Sequence, residues 1–183
     1  MKHLLLVISV SMFAYSAVSQ LSVPELDSLK KIWKIDLEQQ VLDKGIGQYD
    51  KEFSNTFADS LYAQFQIDTF IVEGIYGHQL AADVSTYGSN RATKDCEASY
   101  EVLLNKYYTI FLKKLNKEDS KKLIESQKAW LKFRDAEREV NSSLVKSEYS
   151  GGGTIHQLIH SSQNLYITKM RVVELVGYLM RMQ

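Results

Sequence analysis

Tyr100-Glu101-Val102-Leu103-Leu104-Asn105-Lys106-Tyr107-Tyr108-Thr109-Ile110-Phe111-Leu112-Lys113-Lys114-Leu115 carries apolar side chains at intervals of three and four residues. Tyr100, Leu103, Leu104, Tyr107, Tyr108, Phe111, Leu112 and Leu115 form one broad stripe on a helix, and such a stripe demands apolar surface from other elements. Aromatic residues at this spacing read as core and not as a ligand box.

Downstream, Asn116 is placed to cap the next helix, with Asp119 in the box position three residues on. That helix is predicted to run to about Lys146, carrying Leu123, Ile124, Trp130, Leu131, Val140 and Leu144. Ser150-Gly151-Gly152-Gly153 is the strongest loop signal in the chain. A last helix follows it, with Ile155, Leu158, Ile159, Tyr166, Val172, Val173, Val176, Leu179 and Met180 at helical spacing.

Upstream, Ser22-Val23-Pro24-Glu25 is a capping box with proline in the first turn. Leu26, Leu29, Ile32, Trp33, Leu37, Val41 and Leu42 then mark an amphipathic helix that stops at Gly45-Ile46-Gly47. A second helix is expected from near Glu52, through Phe53, Phe57, Leu61, Phe65, Ile71 and Val72. Within it, Asp68 to Tyr76 is rich enough in β-branched and aromatic residues for propensity to permit a strand. Long amphipathic helices joined by short loops predict an all-α antiparallel bundle of about four to five helices.

The chain has 183 residues, 45% of them apolar, with 9 glycines and a single proline. This length and composition fit one domain with a real core, expected over residues 20–183, and exclude a disordered or collagen-like chain. The first 19 residues have the form of a secretory signal. A cationic start at Met1-Lys2-His3 precedes an apolar run from Leu4 to Val18, and small residues lead to cleavage near Ser19. The expected location is therefore periplasmic or secreted. The apolar run falls short of the roughly 20 residues of a membrane span, so no span is expected. The one cysteine, Cys96, excludes an intramolecular disulfide; it is either a buried thiol or a link between two chains.

Twenty-two basic residues balance 22 acidic ones, which argues against a nucleic-acid binder. The balance hides an asymmetry. Residues 20–90 hold 5 lysines, no arginine and 11 acids, whereas residues 91–183 hold 16 basic residues and 11 acids. Either the two halves neutralise each other, or an acidic face is left for a cationic partner.

Gln127-Lys128-Ala129-Trp130-Leu131-Lys132-Phe133-Arg134-Asp135-Ala136 is followed by Tyr149-Ser150-Gly151-Gly152-Gly153-Thr154 and then by Thr168 and Arg171. Together with Leu104-Asn105-Lys106-Tyr107-Tyr108, this series resembles the lysozyme inhibitor LprI-like family of exported bacterial proteins, over roughly Ala92 to Leu179. Phe65 to Thr69 and Asp83 to Thr86 look like a Bacteroidetes-type branch of it. The family-like positions are Asn105, Tyr108, Gln127, Trp130, Arg134, Thr168 and Arg171. The resemblance also implies a pair of cysteines where this chain has Arg138 and Gln163. Both are missing together, as in the loss of a complete disulfide.

Gln127, Trp130 or Leu131, and Arg134 lie three to four residues apart and share a helix face. A guanidinium on that face must be paired, and the expected arrangement has Gln127 and Arg134 anchoring the Ser150–Thr154 loop while Trp130 fills the core. Asp135 points about 100° away and either pairs elsewhere or is exposed for a partner.

His156-Gln157-Leu158-Ile159-His160 has the two-histidine spacing of a helix-borne zinc site, but glutamine stands where a metalloprotease carries its base. No nucleophile elbow, phosphate loop or cysteine nucleophile motif is present. The expectation is a non-enzyme with neither cofactor nor metal. The resemblance implies an inhibitor of lysozyme, or a binder of another cationic protein, that works by occlusion. In that reading Ser150, Gly151, Gly152, Gly153, Thr154 and Asp135 contact the partner. The competing expectation is an interaction module of the cell envelope with another bacterial partner.

Overall fold

The structure is a computed structural model that describes residues 21–48 and 56–182. The signal-like segment with its cleavage point, and the expected helix start around Glu52 and Phe53, lie outside the described residues. Five long helices and one single-turn helix follow in order: α1 (Val23–Asp43), α2 (Phe57–Ala82), α3 (Thr86–Lys114), α4 (Lys117–Leu144), α5 (Ser147–Ser150) and α6 (Ile155–Leu179). The described residues are thus all-α, with one helix more than the sequence suggested because the turn at Ser147 closes into α5.

Local capping chemistry sets most of the boundaries. At α1 the Ser22 amide and hydroxyl both donate to Glu25 Oε2, at 2.9 and 2.6 Å. At α4 the Asn116 side chain accepts from the amides of Glu118 and Asp119, each at 2.9 Å, and its Nδ2 donates to Asp119 Oδ2 at 2.7 Å. Thr56 and Asp59 form the equivalent box at α2, where the Thr56 amide donates to Asp59 at 3.0 Å and the Asp59 amide donates to Thr56 Oγ1 at 3.2 Å. Ser85 accepts from the Gly88 amide to start α3. The strand-permissive stretch from Asp68 to Tyr76 is helical throughout, inside a 26-residue helix. Packing against neighbours on two sides overrides propensity there.

The central pair is α3 and α6, which pack along most of their lengths, with α2 against α3 and α1 laid outside α2. Tyr100, Leu103, Leu104 and Tyr107 from α3 meet Val172, Leu175, Val176 and Leu179 from α6, with Leu61 of α2 and Leu123 of α4 closing the cluster. Phe65 meets the Tyr107 ring edge-on, at 5.7 Å between centroids. The α3 stripe thus forms the core that its spacing implied. Cys96 is buried in the same cluster, and burial pushes its thiol up to about 12.

Among the described residues, two ion pairs set an acid of the acidic half against a lysine of the basic half. Lys106 of α3 binds Asp68 of α2 at 2.5 Å, where Tyr107 also donates to Asp68 at 2.8 Å. Lys169 of α6 binds Glu73 of α2, which also accepts from Tyr100 at 2.6 Å. Part of the sequence asymmetry is therefore cancelled inside the bundle. Each pair sits beside a buried tyrosine whose hydroxyl fills a further acceptor site on the carboxylate.

Close approach of α1 to α2 depends on Gly74. A Cβ at that position would lie 2.5 Å from Cδ2 of Leu37, itself buried. Gly74→Ala is expected to destabilise by about 1 kcal/mol, because overpacking against Leu37 outweighs the gain in helix propensity. Gly77→Ala, on the same helix with nothing within 4 Å, should instead gain up to about 0.8 kcal/mol. Urea unfolding of the two variants measures both, and equal shifts would remove the packing explanation.

Candidate functional site

The motif residues of α4 turn toward α6 and α3. Arg171 of α6, only 5% exposed, donates from Nε to Oε1 of Gln127 at 3.0 Å, from Nη1 to Glu174 at 3.0 Å and from Nη2 to Ser126 Oγ at 3.3 Å. Trp130 packs against the edge of the core, with the Arg171 guanidinium 5.6 Å and the Arg134 guanidinium 5.4 Å from its ring centroid. Such cation–π contacts let both arginines leave bulk water without losing favourable electrostatics.

Arg134 donates from Nη1 to Glu101 of α3 at 3.0 Å and from Nε and Nη2 to Asp135 at 3.0 and 2.8 Å. One turn on, Arg138 binds Glu97 and, at 3.0 Å, Glu101, and also donates to Thr168 Oγ1 at 3.3 Å. Thr168 is fully buried and donates in turn to Glu101 at 3.4 Å. Two acids four residues apart on α3 thus face two arginines four residues apart on α4, with a threonine of α6 between them. Glu97 and Glu101 were missed in the sequence because an i,i+4 acid pair acquires meaning only beside the arginine pair of another helix.

This corrects the expected anchoring. Gln127 and Arg134 hold α4 to α6 and α3, and neither bonds to the Ser150–Thr154 loop. The guanidinium requirement is met by side-chain carboxylates and an amide oxygen, which are stronger acceptors for it than loop carbonyls. Arg138, where the resemblance implies a cysteine, supplies a non-covalent tie from α4 to α3 and α6, while Gln163 is exposed. Of the other family-like positions, Asn105 is exposed on α3 and Tyr108 packs half-buried against the core.

The loop stands apart from this network. Gly151, Gly152 and Gly153 have φ of 74°, 87° and 104°, a left-handed path that side chains with a Cβ rarely follow. The Ser150 hydroxyl donates to the Val145 carbonyl at 3.0 Å and accepts the Gly152 amide at 3.0 Å, so the loop holds its own shape. A Cβ at any of the three glycines would meet nothing within 4 Å. Large apolar side chains surround this tip: Leu144 is 55% exposed, Tyr149 66%, Ile155 50% and Ile159 49%. Leu144, Ile155 and Ile159 were expected in the core. Ile155 and Ile159 lie on the face of α6 turned away from Ser161, Thr168 and Val172, the residues that meet α3, and α4 packs only lightly on α6, so no element among the described residues covers them or Leu144. Asp135 is exposed and, among the described residues, paired with Arg134 beside it. Nine residues of helix, about 13 Å, separate it from Leu144 at the loop end of α4.

His156 and His160 line a shallow cleft with Asn141 and Leu144, and His160 lies 3.4 Å from the Asn164 amide. Among the described residues no group of three His, Cys, Asp or Glu side chains is placed to hold a metal ion.

Residues 80–175 match the family model described as Lysozyme inhibitor LprI, a span that takes in the whole of α3, α4, α5 and the loop and most of α6. The chain belongs to the lysozyme inhibitor LprI family. The match covers the Gln127, Trp130 and Arg134 motif, its Arg171 partner and the glycine loop; it leaves out α1 and nearly all of α2, and it singles out no branch of the family. The LprI family is a non-catalytic kind of domain, and no enzyme family matches. No curated protein and no solved structure matches the chain. None of the described LprI helices is long and apolar enough to cross a membrane.

Proposed function

We propose that this LprI-family protein is exported and binds lysozyme, blocking its cleft with the Ser150–Thr154 loop. The observation that carries the reading is the glycine tip with its apolar collar, inside the span matched by the family. A glycosidase of this class works with two carboxylates flanking the scissile bond, so a plug need only exclude the sugar and water from between them. Three glycines make a tip thin enough to enter such a cleft, and because the Gly151 and Gly152 amides are spent on the Ser147 carbonyl and the Ser150 hydroxyl, the plug enters as a preformed shape. Leu144, Tyr149, Ile155 and Ile159 supply the desolvated contact that gives an interface its affinity, with tyrosine a frequent anchor.

Charge plays a smaller part than the sequence asymmetry implied. Asp68 and Glu73 are occupied by Lys106 and Lys169. Exposed acids remain at Glu139 and Glu148 near the loop and at Asp36, Glu38 and Asp43 on α1. They favour approach of a cationic enzyme and raise the association rate at low salt. Asp135, beyond the loop, belongs to the rim of this surface.

The test is clearance of a cell-wall suspension by lysozyme in the presence of the purified protein. Inhibition at micromolar concentration is expected, and Leu144→Ser with Tyr149→Ser should weaken it by about tenfold or more while leaving the melting temperature unchanged. Undiminished lysis would reject the reading in favour of an envelope interaction module. Full inhibition by the double variant would move the contact away from the loop.

A further inference from the structure

On the other side of the bundle, α1, α2 and α3 line a solvent-open cleft of about 370 Å³. This is within the range of small-molecule sites, roughly 300–1,000 Å³. Its floor is apolar: Val72, Ile75 and Tyr76 come from α2, and Cys96 and Ala98 from α3. The Cys96 thiol stays neutral at physiological pH and behaves there as a small apolar group. Val102, 67% exposed one turn beyond Ala98, continues the apolar track along α3.

One wall is cationic. Lys30, Lys31 and Lys34 line the cleft from α1. The lone carboxylate in the lining, Asp95, is occupied by Lys30 at 2.5 Å and by Gln79 at 2.7 Å. Lys31 and Lys34 are exposed, and Lys34 has only a loose contact with Glu38, at 3.8 Å. An apolar floor bounded by uncommitted ammonium groups is complementary to one chemical class, an aliphatic chain that ends in an anion.

We propose that this cleft binds a long-chain fatty-acid carboxylate, its head group between Lys31 and Lys34 and its chain along Val72, Ile75, Tyr76 and Ala98. Each methylene withdrawn from water contributes about 0.8 kcal/mol, so the floor supplies most of the affinity and the lysines select the charge. The site is separate from the glycine loop and independent of lysozyme binding.

Titration of the purified protein with dansyl-undecanoic acid, followed by dansyl fluorescence, tests this. A saturable rise at one equivalent is expected, reversed by dodecanoate, with uncharged dodecanol needing about tenfold more to compete. Lys31→Glu with Lys34→Glu, two exposed positions, should weaken the probe by about tenfold, and Ala98→Trp should fill the floor and abolish binding. Absence of saturation, equal competition by dodecanol, or full affinity in the lysine variant would each overturn the proposal. So would loss of binding in Leu144→Ser, which would place the probe on the loop collar instead.

Discussion

Arg171→Ala is expected to destabilise the protein by about 3 kcal/mol, the scale on which breaking a buried charge-assisted network falls. The side chain is 5% exposed and donates to three groups on two helices. Its loss leaves the buried Gln127 Oε1 without this donor, removes one of the two guanidinium contacts to the Trp130 ring and opens a cavity between α4 and α6. Because α4 packs only lightly on α6, this contact is a large share of what holds it. A loss of 3 kcal/mol corresponds to roughly 6–12 °C in Tm for a chain of this size. Arg171→Lys should recover little, since an ammonium cannot reproduce the planar fork that reaches Gln127, Ser126 and Glu174 together. Urea unfolding decides it: a cost below about 1 kcal/mol for the alanine variant would show that α4 is held elsewhere.

Stability is also expected to fall steeply above pH 10. Burial raises Cys96 from 9.0 to about 12. Burial, and then hydrogen bonding to a carboxylate, raises Tyr100 beside Glu73 and Tyr107 beside Asp68 above the ordinary tyrosine range. In all three the folded state favours the protonated group. Their contribution is fully present below the unfolded values, near 9 for the thiol and 10 for the tyrosines, and is lost as pH rises because the unfolded chain releases these protons first. Each group costs up to about 1.4 kcal/mol per pH unit once the unfolded chain has released its proton, so the three together remove about 3 kcal/mol between pH 10 and 11 and more per unit above that. Against a typical total of about 5–15 kcal/mol, alkaline unfolding follows within one to three pH units. Urea midpoints measured from pH 8 to 11.5 should trace this slope, and Tyr107→Phe should flatten it by about a third. A midpoint that holds steady to pH 11 would contradict the burial assigned to these groups.

The sequence disclosed the features that depend on near neighbours. Ser22 with Glu25 and Asn116 with Asp119 are capping boxes whichever way the helices pack, and the Tyr100 to Tyr107 face is apolar enough to be core in any bundle. Periodicity shows that a face is apolar without showing what covers it. Ile155 and Ile159 repeat the four-residue step of Val172 and Val176, yet they fall on the side of α6 turned away from α3 and stay half in water, as Tyr166 and Val173 do further along the same face. The motif arginines posed the opposite difficulty. Their need for partners was legible, but Glu101 lies 33 residues from Arg134 and Gln127 lies 44 from Arg171. Helix order alone does not choose between such acceptors and a nearby loop. Charge asymmetry misled for the same reason, since Asp68 and Glu73 meet their lysines only once α2 lies beside α3 and α6.

Arg138 carries a consequence for how the fold answers its surroundings. With guanidinium contacts to Glu97, Glu101 and Thr168 where the resemblance implies a disulfide, α4 is fastened without thiol chemistry. With a single, buried cysteine the chain has no internal disulfide to form, and reductants leave this fastening untouched. Ionic strength takes over as the variable that loosens it, because screening weakens partly exposed ion pairs and leaves covalent bonds alone. The same helix end is therefore redox-blind and salt-tuned.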